Sequence, residues 1–149
     1  MIAGSPTDHV QGSYPEGGVA WTLHGRPVPT APPSDRWTPH PADAPASIID
    51  VKAIRGPVMT ICGARDLLWP SCDSAASIAG QRKAAGRSTG DLHVRYPDAG
   101  HQVDAAVGYY SVTVEPTSPT GLALGGTLAS GLAAAADAHG RVLRFLAGL

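Results

Sequence analysis

Two residues of this chain have the types and the placement for proton-transfer chemistry, Asp66 and His101. Each follows a stretch with strand character. Val58 to Cys62 is a short apolar run bounded by Gly56-Pro57 and Gly63, the pattern of a strand buried on both faces. Leu92 to Tyr96 alternates in polarity and reads as a second, more peripheral strand. Between them, Ser71 to Ala85 is rich in alanine and predicts a helix, with Ser71 as N-cap and Gly86 as its C-terminal stop. Strand, helix and strand in this length make one βαβ unit over residues 56–101. Such a unit delivers Asp66 and His101 just past the carboxyl ends of neighbouring parallel strands, the edge at which sites in open α/β sheets lie. There a carboxylate can hold an imidazole in one tautomer and stabilise its protonated form while the ring moves a proton. The plainer role for Asp66 is that of a loop aspartate bonding its local backbone.

An acid after one strand and a histidine after the next is the chain order of the last two members of a nucleophile–acid–histidine triad in α/β hydrolases. The neighbouring residues are more specific. The order Gly56-Pro57-Val58, then Cys62-Gly63-Ala64-Arg65-Asp66-Leu67-Leu68-Trp69-Pro70-Ser71, then Tyr96-Pro97-Asp98-Ala99-Gly100-His101 resembles the C-terminal domain of acyl-CoA thioesterases and bile-acid-CoA:amino-acid N-acyltransferases. That family carries a Gly-x-Asp-Asp-x-x-Trp-Pro-Ser segment and a Tyr-Pro-x-x-Gly-His segment. The resemblance implies that Asp66 is the triad acid and His101 the triad base. The first acidic residue of the family pattern is Arg65 here, a departure. It further implies the C-terminal part of an α/β-hydrolase fold, a mostly parallel sheet with flanking helices spanning residues 1–149 as a partial domain. The implied substrate is a fatty acyl-CoA thioester, and no cofactor or metal is implied.

The nucleophile expected from the resemblance stands on a Gly-x-Ser-x-Gly or Gly-x-Cys-x-Gly turn between strand and helix, ahead of the first strand, and no such turn stands there. Gly4-Ser5-Pro6 lacks the second glycine, and Pro6 interrupts helix geometry. Cys62 lies inside a predicted strand and reads as a buried, inert thiol. Cys72 opens a helix, where a thiol pKa can fall, yet follows the acid loop with no histidine partner in view. The oxyanion-hole donors, the amide after the nucleophile and one in an earlier loop, are expected upstream of Met1.

Composition narrows the classes. Net charge is -1 and no long charge run occurs, so nothing supports nucleic-acid or anionic-membrane binding as a main role. No run of eighteen apolar residues and no basic-then-apolar leader is visible, which makes a cytoplasmic protein the expectation. Two cysteines without an export signal are then expected to be reduced, and they are not spaced as a zinc site. With one Phe and an apolar count made largely of Ala, the core is expected to be thin.

The remaining segments frame the unit. Met1 to Pro6 reads as a short strand running into a turn; its unpaired edge offers a route to self-association. Residues 9–47 hold most of the prolines, with Trp21 and Trp37 among them. They read as a loop-like surface excursion pinned by its tryptophans or, more sharply, as a lid walling an acyl-chain pocket. Trp21 to Pro29 also resembles the excursion of bacterial family members. His24 and Arg26 there read as a solvated pair, within conceivable reach of a CoA phosphate. The stretch between Asp35 and Ile48 is shorter than the family pattern. Ile48, Ile49, Val51 and Ile54 within Ser47 to Ile54 predict one or two helical turns packed under the following strand. Residues after His101 to Pro119 have no strong period and are expected to wrap the surface. Gly125-Gly126-Thr127 opens a last helix over 125–147, with Thr127 as N-cap and a stripe of Leu128, Leu132, Ala135, His139, Val142 and Leu146. His139 reads as a half-buried structural residue.

Three readings follow: an acyl-CoA thioesterase or acyltransferase-type domain, inactive without residues that precede it; a non-catalytic remnant or interaction module; and another ester or dienelactone-type hydrolase using the same acid and histidine. The motifs favour the first.

Overall fold

The computed structural model describes residues 1–12, 19–31, 45–103 and 123–149. Trp37 and most of the stretch expected after His101 lie outside them.

Three parallel strands form the sheet. β1 (Ile2–Gly4) pairs with β4 (Met59–Gly63), and β4 pairs with β5 (Leu92–Tyr96), so β4 is central. The register sets Ile2 against Met59 and runs on from Met59–Leu92 to Gly63–Tyr96. All five β4 residues are buried, whereas β5 buries only Val94 fully. These are the patterns of a central and an edge strand. β4 begins one residue later than expected because the Val58 N–H is taken by the Asp91 carboxylate at 2.8 Å.

Alternation along β4 sends its side chains to two layers. Met59 and Ile61 join Val94, Ala99 and Val103 under α2 (Leu128–Ala147), through Ala134 and Ala138. On the opposite face, Cys62 meets α1 (Ser71–Ala84), with Val51, Val58 and Ile78 forming a second, smaller cluster. Two 3-10 turns, Pro45–Ser47 and Val51–Ala53, replace the expected helical turns, and Val51 is their core residue.

The helix ends follow local chemistry. In α2 the Thr127 side chain accepts from Ser130 N, and the Ser130 hydroxyl accepts from Thr127 N in return, a reciprocal cap of two orphan donors. The face α2 buries differs from the expected stripe. Gly131, Ala134 and Ala138 are buried, while Leu128 and Leu146 are about half exposed. Small residues let the helix axis approach the sheet, and the leucines are left on its flanks. In α1 the N-cap is Pro70 rather than Ser71, which is the first helical residue. Gly86, at φ +65°, ends the helix as expected. Gly80 is exposed, and a Cβ there would meet nothing. Gly80→Ala is therefore expected to stabilise the protein by about 1 kcal/mol, the helix-propensity difference, read as a raised midpoint in urea with an unchanged slope.

The proline-rich excursion holds a small hairpin within the stretch read as loop: β2 (Thr22–Leu23) and β3 (Arg26–Pro27), turning at His24-Gly25 with both φ positive. This is the turn that matches strand twist. Trp21 does not pin the excursion, being 63% exposed. The described part is instead tied by bridges from His9 to Ile48 and Gln11 to Ala31, and by buried Asp8, whose carboxylate accepts from the Ser74 hydroxyl at 3.3 Å. His24 and Arg26 are exposed on the hairpin.

Candidate active site

The chain leaves β4 in a tight turn, with Asp66 N donating to Gly63 O at 3.2 Å. The two carboxylate oxygens of Asp66 then divide their work. Oδ1 accepts from the backbone of Leu68 (2.9 Å) and Trp69 (3.2 Å), and Oδ2 accepts from His101 Nδ1 at 3.0 Å. Local backbone bonding and pairing with histidine are thus not alternatives here, since the first aims the carboxylate for the second. The Asp66 side chain is 2% exposed and that of His101 18%. An ionised carboxylate only accepts, which assigns the proton of this bond to His101 Nδ1 and leaves Nε2 as the nitrogen with a lone pair in the neutral form of the ring. That is the tautomer a general base requires.

His101 is fixed from several directions. Its N–H donates to Leu124 O at 2.8 Å, and its C=O accepts from Val103 N (3.0 Å) and from the Ser5 hydroxyl. Trp69 stands edge-on to the imidazole, with ring centroids 4.4 Å apart and planes at 83°. Its indole N–H donates to Ser5 O at 3.0 Å. Leu124 O also accepts from Leu67 N at 3.4 Å, so the lead-in to α2 bridges the acid loop and the histidine loop. The three backbones meet so closely that a Cβ on Gly100 would lie 2.1 Å from Gly125 O, and one on Gly125, at φ +75°, would lie 1.8 Å from Arg65 O. Only glycine fits at these two positions.

The cysteines depart from expectation. Cys62 and Cys72 are joined in a disulfide, with Cα atoms 5.1 Å apart, instead of standing as free thiols. The geometric reason is that α1 turns back over the end of β4, bringing its first turn onto Cys62. Neither sulfur is then available as a nucleophile. The bond closes the loop that carries Asp66 and Trp69, and a ring of this length is worth about 2–3 kcal/mol by loop-closure entropy. Reduction is expected to lower the unfolding free energy by that amount, read as a fall in urea midpoint on adding a thiol reductant; an unchanged midpoint would count against a bonded pair.

Arg65, where the family pattern has an acid, faces Asp98 at 3.9 Å with both side chains largely exposed, a contact of little energetic weight. A groove of about 710 Å³ is lined by Asp66 together with Arg65, Leu67 and the Gly125-Gly126-Thr127 lead-in, while neither His101 nor Trp69 lines it. His139 is half-buried on α2. Among the described residues no cluster of three or more His, Cys, Asp or Glu side chains can hold a metal ion.

Sequence reasoning missed the structural parts of Ser5 and Trp69. Trp69 lies three residues after an aspartate, the spacing at which a carboxylate caps a turn, which is a usable signal. A family model described as "BAAT / Acyl-CoA thioester hydrolase C terminal" matches residues 35–148. The chain belongs to this family. Among curated proteins none matches it. In this member of the acyl-CoA thioester hydrolase C-terminal family, the described residues include no helix long and apolar enough to cross a membrane.

Proposed function

We propose that this chain supplies the acid–base half of an acyl-CoA thioester hydrolase or acyltransferase site on an α/β-hydrolase sheet, with Asp66 as the orienting acid and His101 as the base. The observation that carries the reading is the Asp66–His101 contact, made at the carboxyl ends of adjacent parallel strands. Family membership supports an acyl-CoA thioester as the substrate class, and a fatty acyl chain is part of the proposal.

In this reading His101 Nε2 takes the proton of a serine or cysteine as that group attacks the thioester carbonyl. The C–S bond breaks, the CoA sulfur leaves with the proton from His101, and an acyl-enzyme remains. His101 then activates water, or an amine acceptor, to release the acyl group. Asp66 stabilises the imidazolium in both halves. Gly86-Arg87-Ser88-Thr89-Gly90 fits the letters of the elbow pattern but leads from α1 to the amino end of β5, the opposite order to a strand-to-helix elbow, so this reading assigns the nucleophile and the oxyanion donors to residues outside the 149. Among the described residues β1 has a strand on one side only. A parallel strand laid on its open edge would end beside Ser5, which touches His101.

The test is substrate choice by the protein isolated from its own cells. Its kcat/KM for a long-chain acyl-CoA is expected to exceed that for an oxygen ester of the same acyl chain. Preference for the oxygen ester would favour a different hydrolase using the same pair.

A further inference from the structure

Ser5 touches both the His101 backbone and the tryptophan that abuts its ring. It lies just past β1, is 6% exposed, and has φ +41°, a conformation uncommon outside glycine. Its N–H donates to Ile61 O of the central strand at 2.8 Å. Its C=O accepts the Trp69 indole N–H at 3.0 Å, and its hydroxyl donates to His101 O. One residue thus links β4, the acid loop and the histidine loop, across 64 and 96 positions of sequence.

We infer that Ser5 is a positioning residue for the base: its hydroxyl fixes the backbone of His101, and its carbonyl fixes the indole that abuts the imidazole, so that the ring is held against Asp66 from two sides. The inference rests on the reading of Asp66 and His101 as acid and base, and it assigns Ser5 no contact with substrate. The chemistry requires a small hydroxyl here. The site is buried, so a longer polar side chain has no room, and φ is positive, so a β-branched one is strained. Loss of the hydroxyl leaves His101 O with the bond from Val103 N alone. The backbone at His101, still tied through its N–H to Leu124 O, is then held less tightly, and the ring opens from the carboxylate more often.

The experiment follows the His101 Nδ1 proton by low-field proton NMR on the 149-residue chain, with Asp66→Asn to assign it. Ser5→Gly removes the hydroxyl while relieving the positive φ, and Trp69→Phe removes the indole donor while keeping a ring against the imidazole. Both variants are expected to speed exchange of this proton with water about tenfold, the weight of one lost hydrogen bond. Exchange of the Arg82 Nε proton, held by Asp91 on the same fold, is expected to stay unchanged, whereas general loosening would speed both. Unchanged His101 exchange in the folded variants, or equal acceleration at Arg82, overturns the inference. If Ser5→Gly does not fold, Trp69→Phe alone decides. Absence of an Asp66-dependent resonance in the unmutated chain would instead contradict the acid–base pairing itself, so the two failures are distinct.

Discussion

His101→Ala is expected to lower acyl-CoA turnover by the protein that carries the nucleophile by about a million-fold, and Asp66→Asn by about ten-thousand-fold. The difference follows from the geometry. Without the imidazole no group takes the nucleophile's proton or activates water. With asparagine at position 66, the side-chain oxygen can still accept from the Leu68 and Trp69 amides, so the loop is retained. The amide nitrogen then faces His101 Nδ1, where a donor forces the ring into the wrong tautomer. Both variants should keep KM near its unmutated value, because neither residue is asked to bind CoA. Stopped-flow release of free CoA reads both effects. Equal activity of Asp66→Asn and the unmutated protein would remove Asp66 from the mechanism.

Arg82→Met is expected to destabilise the fold by about 3–5 kcal/mol, the cost of leaving a buried charge without its partner. Arg82 is wholly buried. Its Nε donates to Asp91 Oδ2 at 2.6 Å, and the guanidinium reaches the carbonyls of Val51, Ile54, Gly56 and Arg87 and Asp91 Oδ1 besides. It thereby ties α1 to the 3-10 turn before β4 and to the turn before β5. Burial works to raise the Asp91 pKa, but the hydrogen bonds from Arg82 and from the Val58 N–H, with the charge of Arg82, outweigh it and hold the carboxyl below the usual aspartate range. A carboxyl with a lowered folded-state pKa contributes stability that is present above its unfolded value, near 4, and is lost as pH falls through the folded value. In Arg82→Met burial is opposed only by the Val58 N–H bond and the weaker influence of His93, so the deficit of the variant relative to the parent should shrink as Asp91 protonates in acid. Urea unfolding at pH 7 and pH 4 measures both claims. A loss under 1 kcal/mol at pH 7 would show that the cluster is solvated.

What the sequence disclosed and what it hid divide along physical lines. β5 and the N-cap of α2 were legible from residue type, because alternation marks an edge strand and Thr before an apolar run marks a helix start. The α2 face was legible only in its length. Its contact surface is made of Gly131, Ala134 and Ala138, and periodicity weighted by large apolar residues points at the leucines beside them. Arg82 was invisible for a related reason. It completes the buried α1 stripe of Ser71, Ser74, Ala75 and Ile78, and its partners are backbone carbonyls scattered over residues 51–87 that no local pattern assembles. The pairing of Asp66 with His101 was readable in chain order and neighbours. The disulfide was not, because expectation followed the absence of a leader while geometry followed the return of α1 over β4. Ser5 failed the pattern of a nucleophile turn, and its links to Trp69 and His101 depend on contacts no spacing reveals.

The most direct measurement is the intact mass of the protein isolated from its own cells, taken on the same sample in which CoA release from a long-chain acyl-CoA is assayed. The proposed division of labour predicts a mass above the 15.2 kDa of these 149 residues together with CoA release that His101→Ala abolishes. A mass of 15.2 kDa with no CoA release would contradict it and leave a non-catalytic chain.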